Sequence, residues 1–148
     1  MEIKSWSKWT EGMAFTGSSG RHEVSMDASS PIGKGGGFTP KELITVGLAG
    51  CTAMDVIALM KKYRQPVESF EVKSEATPTE GVHPLVFKEV RLKFILKGAL
   101  DKERVIEAVR LSQTKYCGVS QMLSKAAPIR YKIELNGEEI GGGEASFV

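Results

Sequence analysis

The sequence predicts an α+β fold with an antiparallel sheet packed on long helices, and three observations predict it. A helix-start signal at Thr39-Pro40-Lys41-Glu42 opens an apolar run that reaches Met60. Two later stretches alternate strictly: Val90, Leu92, Phe94 and Leu96 against Glu89, Arg91, Lys93 and Lys97, then Ile129, Tyr131, Ile133 and Leu135 against Arg130, Lys132 and Glu134. Such alternation marks strands with one face buried and one solvated, the habit of antiparallel sheets. The order of elements is strands, long helix, strands, two helices, strand, which is not a regular β-α-β-α repeat.

Residues 1–10 alternate imperfectly around Trp6 and Trp9 and read as a strand, with a turn at Glu11-Gly12. Met13 to Thr16 and Arg21 to Met26 read as a hairpin around Gly17-Ser18-Ser19-Gly20. Asp27 to Phe38 is a Gly- and Ser-rich loop in which the run from Gly33 to Gly37 reads as flexible. Thr39 and Glu42 have the spacing of a capping box and Pro40 suits the first helical position. The helix fades at Lys61-Lys62-Tyr63-Arg64, and Pro66 forces extended chain. Phe70, Val72 and Ala76 line one face of the next strand, and residues 77–84 form a loop before the strand around Val90–Leu96. Asp101 caps a second helix whose buried face carries Val105, Ala108, Val109 and Ser112 and which reaches about Tyr116. Gly118 interrupts. A third helix then presents Val119, Met122, Leu123 and Ala126 until Pro128 ends it. Asn136-Gly137 has the composition of a two-residue hairpin turn, and the tail from Glu138 to Val148 reads as loose or as a weak edge strand.

The 148 residues form a single domain in this reading, residues 1–148, large enough to bury about 70% of the unfolded surface without a disulfide or metal. A net charge of +2 with interspersed lysines and acids gives no basic stripe for nucleic acid or an anionic membrane. No signal peptide is read at the N-terminus, and two cysteines are too few for a disulfide framework, so the expected compartment is the reducing cytoplasm. Leu43 to Met60 has the length of a short membrane span, but Asp55 and the small residues Gly47, Ala49, Gly50 and Ala53 favour burial in protein.

Cys51 sits inside the long helix, where a cysteine is either a small core hydrophobe or a thiol that needs a cation from elsewhere in the fold. Asp55, one turn on, disfavours its thiolate. Cys117 lies at a helix junction beside Lys115, and both features favour a low pKa there. Glu42 is explained by the capping box. Its offset of nine residues from Cys51 is about half a turn, so a shared site would need a helix break near Gly47 or Gly50, or a second subunit. Arg21 and His22 follow a glycine turn. His22 and His83 with two distant cysteines match no zinc spacing, and no phosphate-binding loop, dinucleotide fingerprint or nucleophile elbow is present.

Thr39-Pro40-Lys41-Glu42-Leu43 through Gly47-Leu48-Ala49-Gly50-Cys51-Thr52-Ala53-Met54-Asp55 resembles the cysteine helix of the OsmC/Ohr family, and Thr114-Lys115-Tyr116-Cys117-Gly118-Val119-Ser120-Gln121-Met122-Leu123 resembles its second cysteine region. The runs from Met54 to Lys62, around Lys115-Tyr116-Cys117 and over Gly12–Gly17 are similar to its YhfA-like branch. The resemblance implies an OsmC-like fold, an intertwined homodimer with sites at the subunit interface, and a thiol peroxidase of oxidative or osmotic stress defence that needs no cofactor or metal. It implies Cys51 as peroxidatic cysteine, Cys117 as resolving cysteine, Glu42 as the family's glutamate and Arg21 as its arginine. The implied substrate is an organic hydroperoxide, and the implied reductant is a dithiol, with a lipoylated protein as one candidate. A non-enzymatic dimer that binds an apolar ligand, or a thiol redox sensor, is the alternative reading.

Overall fold

The computed structural model describes residues 1–148 as two compact units, Met1–Ile44 and Thr45–Val148. The first holds a three-stranded antiparallel meander, β1 (Trp6–Glu11), β2 (Ala14–Ser19) and β3 (His22–Met26). Residues 1–5 are not strand, and every residue of β1 is exposed, both tryptophans included. The hairpin turn is tighter than composition implied. Gly17, Ser18 and Ser19 pair with Val24, Glu23 and His22, so only Gly20-Arg21 turns.

The Gly-rich loop that follows is built, not slack. Asp27, 6% exposed, accepts backbone N–H groups from Ala28 (2.7 Å), Gly36 (3.1 Å) and Lys34 (3.3 Å). The bond from Gly36, with those from Ala28 and Lys34, holds its carboxyl below the usual range against the opposing effect of burial. A side chain at Gly33 would collide with the Ala28 carbonyl, and one at Gly37 with the Ser25 backbone. Close approach, not flexibility, is what these glycines supply.

The long helix α1 (Pro40–Lys62) runs without a break at Gly47 or Gly50. Its start is the expected capping box: Glu42 N–H donates to Thr39 Oγ1 (3.3 Å) and Thr39 N–H to Glu42 Oε1 (2.8 Å). After the boundary at Ile44, the second unit continues with β4 (Val67–Pro78), β5 (Phe87–Gly98), α2 (Lys102–Leu111), a π-helical turn (Ser112–Tyr116), α3 (Gly118–Ser124), β6 (Ile129–Leu135) and β7 (Glu138–Glu144). The sheet order is β4-β5-β6-β7. The fold is α+β as read from the sequence, but the second sheet is mixed. β4–β5 and β6–β7 are antiparallel hairpins, while β5 and β6 pair in parallel. The reason is the helical crossover between them, which returns the chain to the end where β5 began. Asn136 (φ 51°) and Gly137 (φ 83°) make the β6–β7 turn in the left-handed region that a two-residue hairpin requires. The tail is an ordered edge strand through Glu144.

One face of this sheet is the core. Val90, Leu92, Phe94 and Leu96 of β5 and Ile129, Tyr131, Ile133 and Leu135 of β6 pack with Leu48, Val56 and Met60 of α1 and Val105, Ala108 and Val109 of α2. Phe94 and Tyr131 meet edge to face at 6.0 Å. The buried stripe of α1 is narrow: Leu48, Thr52, Val56 and Met60 recur every four residues. The burial in protein expected of this helix is incomplete within one chain, since Val46 is 50% and Met54 72% exposed. The third helix is also shorter than its apolar spacing suggested. It stops at Ser124 and leaves Met122 66% exposed.

Candidate functional site

The four residues singled out by sequence divide between the two units. Arg21 is exposed in the turn between β2 and β3, and Glu42 is exposed in the first turn of α1. The Thr39 N–H, with the Thr39 hydroxyl, lowers the Glu42 pKa, as its capping role requires. Cys51 and Cys117 both belong to the second unit, and there the fold brings them together. Cys51 projects half-buried from α1, while Cys117 is fully buried at the junction of the π turn and α3.

Cys117 is the N-cap of α3, with extended backbone (φ −77°, ψ 101°) and a sulfur that accepts the Ser120 N–H at 3.3 Å. Its thiol is pushed up to about 11. Burial is the main cause. The Ser120 hydroxyl and N–H work against it, and Cys51 adds to it, as a hydrogen-bonding partner and as a nearby charge. The local sequence pointed the other way, towards a thiolate favoured by Lys115 and a helix start. That expectation is corrected on both counts. Lys115 is exposed with its ammonium 5.1 Å from the Tyr116 ring centroid, and desolvation outweighs the cap. Cys117 is thus a protonated thiol placed against the more accessible sulfur of Cys51.

Around the pair lies a buried polar network that the sequence reading did not assemble. Ser112 Oγ donates to Asp55 Oδ2 (3.0 Å) and lies 2.7 Å from Thr52 Oγ1, which in turn accepts from Gln113 Nε2 (2.8 Å). Thr52, Ser112 and Gln113 are completely buried. Gln113 Oε1 is buried without a hydrogen-bond partner. Asp55 is half-buried. Desolvation raises its pKa, and the Ser112 bond offsets part of the rise. The signal available in the sequence was the i, i+3 spacing of Thr52 and Asp55, two polar residues on one face of an otherwise apolar helix. Its partners were hidden because the π turn, closed by Cys117 N–H to the Ser112 carbonyl (2.9 Å), has no distinctive composition.

No three His, Cys, Asp or Glu side chains converge as a metal site would need. The chemistry the arrangement offers is that of thiols: an accessible sulfur, a second sulfur beside it that keeps its proton, and a fixed polar scaffold that joins the two segments carrying them.

Residues 33–132 match the family described as OsmC-like protein. The chain is 37% identical over 130 residues to protein YhfA of Escherichia coli K12, a match that covers 86% of this chain and 94% of that one. Among solved structures it is similar to an OsmC-like protein of Mycoplasma pneumoniae (TM-score 0.81, 14% identity, 91% of this chain and 97% of that one). It is also similar to an organic hydroperoxide resistance protein of Elizabethkingia anophelis (TM-score 0.69, 15% identity, 92% and 97% covered).

Proposed function

Because this chain belongs to the OsmC-like family, we propose that its thiol pair is the active site of a cytoplasmic peroxidase for organic hydroperoxides, serving peroxide or stress defence. The observation that carries this reading is the division of labour between the two sulfurs, one half-buried and reachable, the other buried and held as a thiol beside it. The Cys51 thiolate attacks the distal oxygen of the hydroperoxide. The O–O bond breaks, the alkoxide leaves and takes a proton to become the alcohol, and Cys51 becomes a sulfenic acid. The Cys117 sulfur then attacks Cys51, its proton departs with the sulfenic hydroxyl as water, and a disulfide closes. A dithiol reductant restores both thiols by two exchanges and is itself oxidised to a disulfide. In this reading Arg21 supplies the cation that holds the Cys51 thiolate, Glu42 orients Arg21, and the site is completed in a homodimer. The apolar composition of the helix that carries Cys51 suits an alkyl hydroperoxide better than hydrogen peroxide.

The test is turnover of cumene hydroperoxide with a dithiol present, combined with mass spectrometry of the cysteines. Wild type turns over. Cys51→Ser abolishes turnover, and Cys117→Ser accumulates an oxidised Cys51 that dimedone traps. If wild type consumes neither cumene hydroperoxide nor hydrogen peroxide, the peroxidase reading fails.

A further inference from the structure

The network beside the thiols has a direction, and its direction identifies a residue that acts through others. Serine and threonine hydroxyls each carry one proton. Ser112 gives its proton to Asp55 Oδ2. In the 2.7 Å contact between Thr52 and Ser112 the proton must therefore come from Thr52. Thr52 Oγ1 can then only accept, so Gln113 must present its NH2 end, as it does at 2.8 Å. The same amide cannot use its oxygen, and Gln113 Oε1 is left buried without a partner. That orphan oxygen is the mark of a chain ordered from Asp55. Without an acceptor at Asp55, Ser112 could turn its proton to Thr52 and Thr52 its proton to a flipped Gln113 amide, so the carboxylate is what fixes the order of the chain.

The chain also ties together the two segments that carry the sulfurs. Thr52 and Asp55 stand on α1, next to Cys51 and one turn beyond it. Ser112 is held to both by its side chain, and its carbonyl takes the Cys117 N–H at 2.9 Å. Gln113 is anchored a second time, its carbonyl accepting the Ser146 N–H at 3.0 Å. Asp55, Ser112 and Cys117 are thus linked bond by bond. Ser112 is the only side chain bonded to Asp55, whose carboxylate forms no ion pair.

We propose that Asp55 is a positioning residue for the thiol pair: as terminal acceptor of the chain through Ser112, Thr52 and Gln113, it fixes the π turn that presents Cys117 to Cys51. This deepens the peroxidase reading and rests on it for the step affected, which is closure of the disulfide and not attack on the peroxide. The requirement is for an acceptor atom at the Asp55 carboxylate position, so an amide carbonyl there should serve in its place.

The test uses the full-length protein and two independent readouts. The first is the pair of rate constants after mixing with cumene hydroperoxide: Cys51 sulfenic acid formation and Cys51–Cys117 disulfide formation. Asp55→Ala and Ser112→Ala should each slow disulfide formation about tenfold while sulfenic acid formation stays within about twofold of wild type, and the double variant should be no slower than either single one. Asp55→Asn should restore closure to within about threefold. A role in general stability alone would not single out closure or be rescued by the amide. The second readout needs no peroxide. In a dithiothreitol redox buffer the equilibrium between the thiol pair and its disulfide gives the effective concentration of one sulfur at the other. It should fall about tenfold in Asp55→Ala and Ser112→Ala and recover in Asp55→Asn. If wild type ignores peroxides but shows this pattern, the peroxidase reading falls and the positioning role stands. If closure and effective concentration stay within twofold of wild type in Asp55→Ala and Ser112→Ala, or if Asp55→Asn is as impaired as Asp55→Ala, the positioning role is wrong.

Discussion

At the residue scale, Cys117 and Asp55 carry the same lesson about burial. Cys117 keeps its proton because its sulfur is desolvated, with a pKa of about 11. In reduced protein, iodoacetamide labelling of Cys117 mapped by mass spectrometry should therefore be slight at pH 8 and rise only as the pH nears 11. Prompt labelling at pH 8 would contradict the assignment. The linkage has a definite sign. A thiol raised in the folded state favours folding below the ordinary thiol pKa, and that stabilisation is lost as pH rises towards 11. Asp55 is likewise raised, by desolvation against the bond from Ser112. Its neutral form stabilises the fold below the unfolded carboxylate pKa, about 3.9, and that contribution is lost as pH rises through the folded value. Asp55→Asn should accordingly be more stable than wild type to urea at pH 7, with the gap closing at about pH 3.5. An equal gap at both values would show that the charge is not what matters. Cys51 and Cys117 were legible as a pair through motif resemblance. The protonation of Cys117 was not, because Lys115 beside it suggested a thiolate, and only the three-dimensional burial of the sulfur reverses that inference.

At the scale of elements, the capping box of α1 and the alternation of β5 and β6 were legible because each depends on neighbours in sequence. Thr39→Ala should cost about 1 kcal/mol in denaturant unfolding, the usual loss of a helix cap. Phe94→Ala should cost about 3–5 kcal/mol, since its ring is completely buried and meets Tyr131 edge to face. What the sequence did not disclose is the parallel β5–β6 pair, which joins strands separated by two helices, and the order in the β7 edge, the Asp27 loop and the π turn, which composition does not mark. The π turn matters most, because an extra residue in a helical turn changes the direction of all that follows by about 100°. Deleting the exposed Lys115 should return residues 112–116 to α-helical register and turn Cys117 away from Cys51. The expected protein is folded by circular dichroism but closes no Cys51–Cys117 disulfide with diamide, whereas wild type does. Closure at the wild-type rate would mean that the π turn does not set the thiol geometry.

At the scale of the molecule, α1 raises the question of what covers it. It is long and apolar enough by composition to cross a membrane, yet only four of its 23 residues are buried in its own chain. The buried part, Leu48, Val56 and Met60, belongs to the core of the second unit, which binds the helix to the protein. Val46 and Met54 of α1, each at least half exposed, remain to be covered. A second copy of the chain is the occupant that the peroxidase reading calls for, because Glu42 and Cys51 lie about half a turn apart on an unbroken helix. Sedimentation equilibrium should give twice the 16.1 kDa chain mass. Met54→Lys should shift that mass towards a single chain while leaving the core intact, since Met54 is 72% exposed. Mixing subunits then asks where Glu42 acts. Cys51→Ser and Glu42→Gln proteins are each expected to be inactive. If Glu42 serves the partner's sulfur, unfolding and refolding the two together produces mixed dimers with one intact site each and recovers about a quarter of wild-type activity. If Glu42 serves the sulfur of its own chain, every site in the mixed dimers carries one of the two substitutions and no activity returns.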